Sequence, residues 1–245
     1  MIKFHNCKVG QFYLYAMKVK LLDHSNEFPP VTSADENGVI AVGGDLSSAR
    51  LISAYQKGIF PWFNPGEMIM WWSPEERGII PLDGLKVHKS MRNELNQMRY
   101  TVTYDTCFKD VITECSVSLR GEKTHPETWI GENMITSYIE LHKLGFAHSV
   151  EVWKGTELVG GLYGVSMGHM FFGESMFNKA TNASKVGLFN LVEKLKKWGF
   201  GPIDCQMLNP HLESLGAVPI SRGEFHKILE KHLGTCDPFL DKWTE

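Results

Sequence analysis

The strongest hydrophobic periodicity in the chain lies in NASKVGLFNLVEKLKKWGF, residues 182–200. Leu188, Val192 and Leu195 recur there at helical spacing, and Asn182 or Ser184 is placed to cap the start. Lys194, Lys196 and Lys197 fall in the last turns, where the helix dipole favours cations. Upstream the period shortens to two. HSVEVW (148–153), LVGGLYGVS (158–166) and MFFGESMF (170–177) read as three consecutive strands, with Gly155 and Gly168 in the tight turns between them. YTVTYD (100–105) alternates in the same way, and FKDVITECSVSL (108–119) and MITSYIELHKLG (134–145) carry helical spacing. After the long helix come a strand PIDCQML (202–208), the segment HLESLGA (211–217) and an amphipathic helix GEFHKILEKHL (223–233).

Before residue 75 turn signals break the pattern: FPP at 28–30, ADENG at 34–38, GGDL at 43–46 and NPGE at 64–67. LSSARLISAYQKG fits one short helix there, capped by Ser47 or Ser48, with Leu51, Ile52 and Tyr55 on its apolar face and Gly58 at its close. These breaks divide the chain into a small N-terminal α/β domain over residues 1–75 and a larger domain over 76–245. Met17 opens a second plausible start, so residues 1–16 are read as a dispensable extension. The larger domain runs strand, two helices, antiparallel three-strand meander, long helix, strand and a helical end. That is the element order of the GNAT acyltransferase fold, and the expected class is α+β: a small domain followed by a GNAT-like domain whose mixed, mostly antiparallel sheet is flanked by helices.

Composition narrows the function. With 43% hydrophobic and 22% charged residues over 245 positions, the chain has the make-up of a soluble globular protein able to bury a substantial core. No apolar run is long enough to span a bilayer. Cys7, Cys107, Cys115, Cys205 and Cys236 are dispersed without a C-x-x-C pair, which fits free thiols in a reducing, cytoplasmic setting. The ten histidines show no ligand spacing, so no metal site is expected. A net charge of −3 and a pI of about 6.4 exclude a protein that coats nucleic acid by bulk charge, for which a pI above ~9 is usual. Lys86, Lys89, Arg92, Lys185, Lys194, Lys196 and Lys197 supply either a local phosphate-binding patch or ordinary solvated helix faces.

Three short stretches carry candidate chemistry. Where a GNAT protein that uses acetyl-coenzyme A has a Gly-rich turn cradling a pyrophosphate, NKATNASK (178–185) has no glycine, so a coenzyme A site is not expected. Glu174 interrupts the apolar MFFGESMF, where a carboxylate must either pair with a buried Arg or Lys or receive a cation from outside. In IDCQMLN (203–209), strand alternation puts Asp204 and Gln206 on one face and Cys205 and Met207 on the other. Asp204 and Gln206 are then either satisfied strand-end residues or a carboxylate orienting an amide toward a reacting group. His148 and Glu151 fall on opposite strand faces, His125 lies in a loop, and no nucleophile elbow, P-loop or dinucleotide fingerprint occurs.

GVIAVGGDLSSARLISAYQKGIFPWFNPGEMIMWWSPEERGIIP (38–81), ETWIGENMITSYIELHKLGFAHSVEVW (127–153), LVGGLYGVSMGHMFFGESMF (158–177), NASK (182–185) and IDCQMLN followed by SLGA together resemble the leucyl/phenylalanyl-tRNA–protein transferase family. The resemblance covers residues 28–220 in order. It implies an enzyme that transfers Leu, Phe and sometimes Met from aminoacyl-tRNA to proteins beginning with Arg or Lys, feeding the bacterial N-degron route of protein degradation without a metal or organic cofactor. It also implies catalytic roles for Asp204 and Gln206, and acceptor binding by Glu174 with Asp204. Tyr55, Trp62, Trp129, Tyr138 and Asn209 match positions around the aminoacyl-adenosine. Leu162, Phe171, Leu188 and Ile203 match the pocket for the transferred side chain. The family often has Met in place of Leu162 and Phe in place of Leu191, departures that bear on which amino acid fits. A monomer without membrane attachment is expected. The rival readings are a coenzyme A acyltransferase and a non-catalytic tRNA-binding protein.

One cluster poses its own question. PWFNPGEMIMWWSP (61–74) places Trp62, Trp71 and Trp72 within eleven positions, as core or as a stacking platform. Adjacent strand residues face opposite ways, so at most one of Trp71 and Trp72 can share a cleft with Trp62. The other is expected to pack the seam between the domains.

Overall fold

The computed structural model describes residues 19–117, 128–234 and 243–244; the segment 1–16, Cys7, His125 and Cys236 lie outside them. Two sheets organise the chain. The first contains β1 (Lys20–Leu22), β2 (Val39–Gly43), β3 (Phe60–Pro61) and β4 (Met70–Trp72), in the order β1-β2-β4-β3. Helix α1 (Ser48–Gln56) connects β2 to β3. It starts at Ser47, whose hydroxyl accepts the Arg50 N–H at 3.4 Å. Gly58, with φ +67°, turns the chain away after the helix, a left-handed conformation open to glycine without penalty.

The second sheet is built from β5 (Glu76–Ile80), β6 (Thr101–Tyr104), β7 (Ala147–Lys154), β8 (Glu157–Met167), β9 (Met170–Asn178), β10 (Ile203–Gln206) and β11 (Val218–Ser221). Its order is β11-β5-β10-β9-β8-β7-β6. Every pairing is antiparallel except β9 with β10, which run parallel. Helices α2 (Lys89–Asn96), α3 (Phe108–Val117), α4 (Glu132–Lys143), α5 (Ala183–Lys197), α6 (Pro210–Ser214) and α7 (Arg222–His232) complete the chain.

The interior strand β8 is buried from Val159 to Met167 because both faces of the sheet are covered. On one face Val111, Ile112, Met134, Tyr138 and Leu141 of α3 and α4 meet Tyr163, Val165 and Phe172, and this core continues through Leu51 and Tyr55 to Trp71. On the other, Leu188, Leu191, Val192 and Leu195 of α5 meet Val150, Leu162, Phe171 and Ile203. Two glycines permit that closeness: a Cβ on Gly160 would stand 2.6 Å from the Ala183 Cβ at the start of α5, and one on Gly164 would stand 2.3 Å from the Phe172 carbonyl oxygen.

The meander and both long helices lie where periodicity puts them, and the rest adds detail. Strands β5 and β11 and helix α2 appear in segments where no element was expected. Asn182 occupies the position before α5 at φ +59°, yet its side chain makes no capping hydrogen bond. Helix α7 starts instead with a capping box, Ser221 Oγ accepting the Glu224 N–H while the Glu224 carboxylate accepts the Ser221 N–H. Glu151 is fully buried and structural: hydroxyls of Thr103, Thr106 and Ser149 donate to it at 2.7, 2.8 and 2.5 Å. No helix of the described residues is long and apolar enough to cross a membrane.

Candidate active site

Strand β10 does not end as a regular strand. Its ladder with β5 shifts register between Asp204, opposite Ile79, and Gln206, opposite Gly78. Gln206 takes φ +64°, a left-handed conformation that costs a non-glycine residue roughly 1–2 kcal/mol. Its backbone N–H donates to Asp204 Oδ1 at 2.8 Å, which offsets part of that strain.

Simple alternation put the two side chains in joint use on one face, and the bulge gives them different contacts. Asp204 is fully buried and meets Arg77 through a bidentate ion pair, Nε to Oδ1 at 2.8 Å and Nη2 to Oδ2 at 2.6 Å. Arg77 is itself 1% exposed and lies over the rings of Phe60 and Phe225 at 4.7 and 4.5 Å. Both Asp204 oxygens are thus engaged inside the protein.

Gln206 reaches Glu174 on the neighbouring strand β9, its side-chain N–H donating to Glu174 Oε1 at 2.6 Å. The Gln206 carbonyl oxygen has no protein partner among the described residues. Tyr55 from α1 donates to the same Glu174 oxygen at 2.7 Å, and Tyr138 from α4 to Oε2 at 3.3 Å. The two tyrosine hydroxyls also contact each other. Tyr55 and Tyr138 are fully buried, and it is their hydroxyls that meet Glu174. No basic side chain pairs with Glu174 among the described residues. Burial pushes its carboxyl up to about 7, against the opposing effect of the Tyr55 and Gln206 hydrogen bonds. Burial beside Glu174 likewise pushes both tyrosine hydroxyls well above their usual value.

Glu174 stands at the polar edge of a cavity of about 460 Å³. Leu162, Phe171, Leu188 and Ile203 line it, so the structure brings all four pocket candidates together, and Asn209 stands at its rim. Asn209 is exposed and caps α6, accepting the Leu212 N–H at 2.9 Å. The cavity has room for an apolar group of several carbons beside the Glu174 carboxylate and the Asn209 amide.

The tryptophans divide. Trp71 is fully buried, packs edge-on against Phe28 at 4.9 Å and donates to the Gly43 carbonyl at 3.0 Å. Trp72 turns the other way, meets Trp62 ring to ring at 5.5 Å and donates to the Trp62 carbonyl at 2.7 Å. Trp62 is 40% exposed, and Trp129 is half-buried against the first core. Neither lines the apolar cavity. Among the described residues no group of three or more His, Cys, Asp or Glu is arranged to hold a metal.

Sequence reasoning missed Arg77. The segment ERGIIP carries no expected element, and the only signal for Arg77 is the alternative of a buried cation beside Glu174.

Residues 79–230 match the profile of the leucyl/phenylalanyl-tRNA protein transferase family, and residues 44–75 match that of its N-terminal domain. The leucyl/phenylalanyl-tRNA–protein transferase of Cellvibrio japonicus is 52% identical over 211 residues, covering 85% of this chain and 88% of that one. Those of Pseudomonas fluorescens SBW25 and Flavobacterium johnsoniae are 51% and 52% identical over 84% and 83% of this chain, and over 91% and 95% of their own. Among solved structures, the L-PGS of Bacillus licheniformis aligns at a TM-score of 0.43 and 12% identity over 72% of this chain and 66% of that one, too distant to carry an argument. The chain therefore belongs to the leucyl/phenylalanyl-tRNA protein transferase family and is an aminoacyltransferase.

Proposed function

We propose that this enzyme transfers Leu or Phe, and Met as a further donor, from aminoacyl-tRNA to the N-terminal α-amine of proteins that begin with Arg or Lys. The observation that carries this reading is the Glu174 carboxylate, unpaired with any basic side chain among the described residues, at the edge of an apolar cavity and bonded to Gln206. The cavity suits a Leu or Phe side chain. The carboxylate suits the cationic side chain of the acceptor.

In the transfer, the acceptor nitrogen attacks the ester carbonyl, the N–C bond forms, the bond to the 3′-oxygen breaks, and the amine proton ends on that oxygen. The ester is already activated, so alignment can supply several kcal/mol of the barrier lowering. The free carbonyl oxygen of Gln206 accepts a hydrogen bond from the attacking amine and holds its lone pair toward the ester. An amide oxygen is too weak a base to keep the proton, which passes to the departing 3′-oxygen directly or through water. Asp204 fixes the Gln206 backbone and so acts as a positioning residue.

The same reading makes the product an N-degron substrate, in a cytoplasmic, monomeric enzyme. The parallel β9/β10 pair joined by α5, within an otherwise antiparallel sheet, supports a GNAT-like acyltransferase domain. Labelled Leu-tRNA or Phe-tRNA incubated with a peptide beginning Arg or Lys tests the whole reading. Label should move to that peptide and not to one beginning Ala. Intact tRNA binding without transfer would favour a binding protein, and acetyl-coenzyme A turnover would favour the other rival.

Trp62 gives a sharper test of donor binding. Its carbonyl bond to Trp72 survives truncation to Ala and its ring is partly exposed, so Trp62→Ala should change melting little. Losing one base-stacking ring should raise the KM for aminoacyl-tRNA about 5- to 150-fold. An equal loss of stability and donor affinity would return Trp62 to the core.

A further inference from the structure

We infer that Arg77 is the positioning residue of the transfer site, fixing at once the two donors that hold Glu174 Oε1: Gln206 from β10 and Tyr55 from α1. This rests on the roles of Glu174 and Gln206 proposed above.

The Arg77 guanidinium has three directed contacts. Its fork holds both oxygens of Asp204, and its Nη1 donates to the Gly58 carbonyl at 3.2 Å. On the Asp204 side, Oδ1 accepts the Gln206 backbone N–H at 2.8 Å and so fixes the left-handed bulge that turns Gln206 toward Glu174. On the Gly58 side, the Gly58 N–H donates to the Tyr55 carbonyl at 3.0 Å, closing the last turn of the helix that carries Tyr55. The two paths converge on one atom: Gln206 Nε2 lies 2.6 Å and Tyr55 Oη 2.7 Å from Glu174 Oε1. Tyr55 and Gln206 are 151 positions apart, and the guanidinium lies one residue contact from the backbone of each. The rings of Phe60 and Phe225, 4.7 and 4.5 Å away, pack against the planar group and restrain its swing.

A lysine retains the charge but cannot reproduce the fork and the third contact together. Arg77→Lys should therefore fold, because Asp204 keeps a cationic partner. Its kcat for transfer should fall about 100-fold, the scale of a small misplacement at a reacting centre. Its KM for aminoacyl-tRNA should stay within about twofold, since donor contacts lie elsewhere. A second variant separates positioning from stability. Arg77→Met with Asp204→Leu replaces a buried ion pair by apolar groups, an exchange proteins often tolerate. It should melt near the wild-type temperature and still lose kcat, because the Gln206 bulge has lost its anchor.

Wild-type kcat in Arg77→Lys, or in a folded double variant, would overturn the inference. Should the double variant not fold, Arg77→Lys decides alone. Gln206→Ala keeps the inference distinct from the site reading beneath it. If Gln206→Ala lowers kcat and Arg77→Lys does not, only the inference fails. If neither lowers it, the proposed role of Gln206 fails as well.

Discussion

Asp204→Ala is expected to lower the unfolding free energy by about 3–5 kcal/mol, the range seen when one partner of a buried ion pair is removed. The guanidinium left behind is 1% exposed and loses the acceptors of both its Nε and Nη2 protons. The Gln206 backbone N–H loses its acceptor too, and Gln206 then holds φ +64° without support. For a chain of this size each kcal/mol moves the midpoint by about 2–4 °C, so a fall of roughly 6–20 °C is expected in thermal unfolding. Asp204→Asn keeps the shape and one acceptor oxygen and should lose less. A loss below about 1 kcal/mol for the alanine variant would show that the pair does not anchor the fold. An inactive Asp204→Ala therefore does not by itself make Asp204 a catalytic residue, and its kinetics belong well below its own melting point.

How far the sequence reached follows from what kind of interaction each feature depends on. The meander and α5 were legible because their apolar periods are long and the turns between them carry glycine. Strands β5 and β11 were not, since each is short and owes its existence to pairing across a long sequence separation. The bulge at Gln206 defeated alternation, because one extra residue in the ladder re-aims every side chain after it. Glu174 stands out in the sequence as a carboxylate in an apolar strand, which leaves a buried cation and an open site as alternatives. The buried cation exists, but it is Arg77 and it pairs with Asp204. Tyr55 and Tyr138 were placed at the site by resemblance as aromatic rings, and in the fold their hydroxyls are what touch Glu174. A ring and a hydroxyl share one letter in the sequence, and only the neighbours show which end is used.

Glu174→Gln carries the sharpest pH signature. The wild-type carboxyl is raised to about 7 by burial, so in the folded, unliganded protein it is neutral below that pH and ionised above it. A carboxyl raised on folding leaves stability untouched below its unfolded value near 4.5 and costs stability increasingly as pH rises to about 7, reaching its full effect above. The wild type should lose on the order of 3 kcal/mol from this group across that window, and Glu174→Gln should not, which denaturant unfolding at pH 4.5 and pH 8 can read. Acceptor binding should show the opposite slope. Only the ionised carboxylate attracts an arginine or lysine side chain, so wild-type affinity for a peptide beginning Arg should improve nearly tenfold per pH unit below 7 and level off above. The glutamine variant should bind such a peptide weakly and without that slope. Its kcat/KM for transfer should fall about 100-fold or more at pH 8, since truncating one charge of a buried cation–carboxylate contact costs several kcal/mol. The titrating α-amine of the peptide contributes equally to both proteins, so the difference between the two pH profiles belongs to Glu174. Identical profiles would remove Glu174 from acceptor recognition and leave it as a support for Gln206 alone.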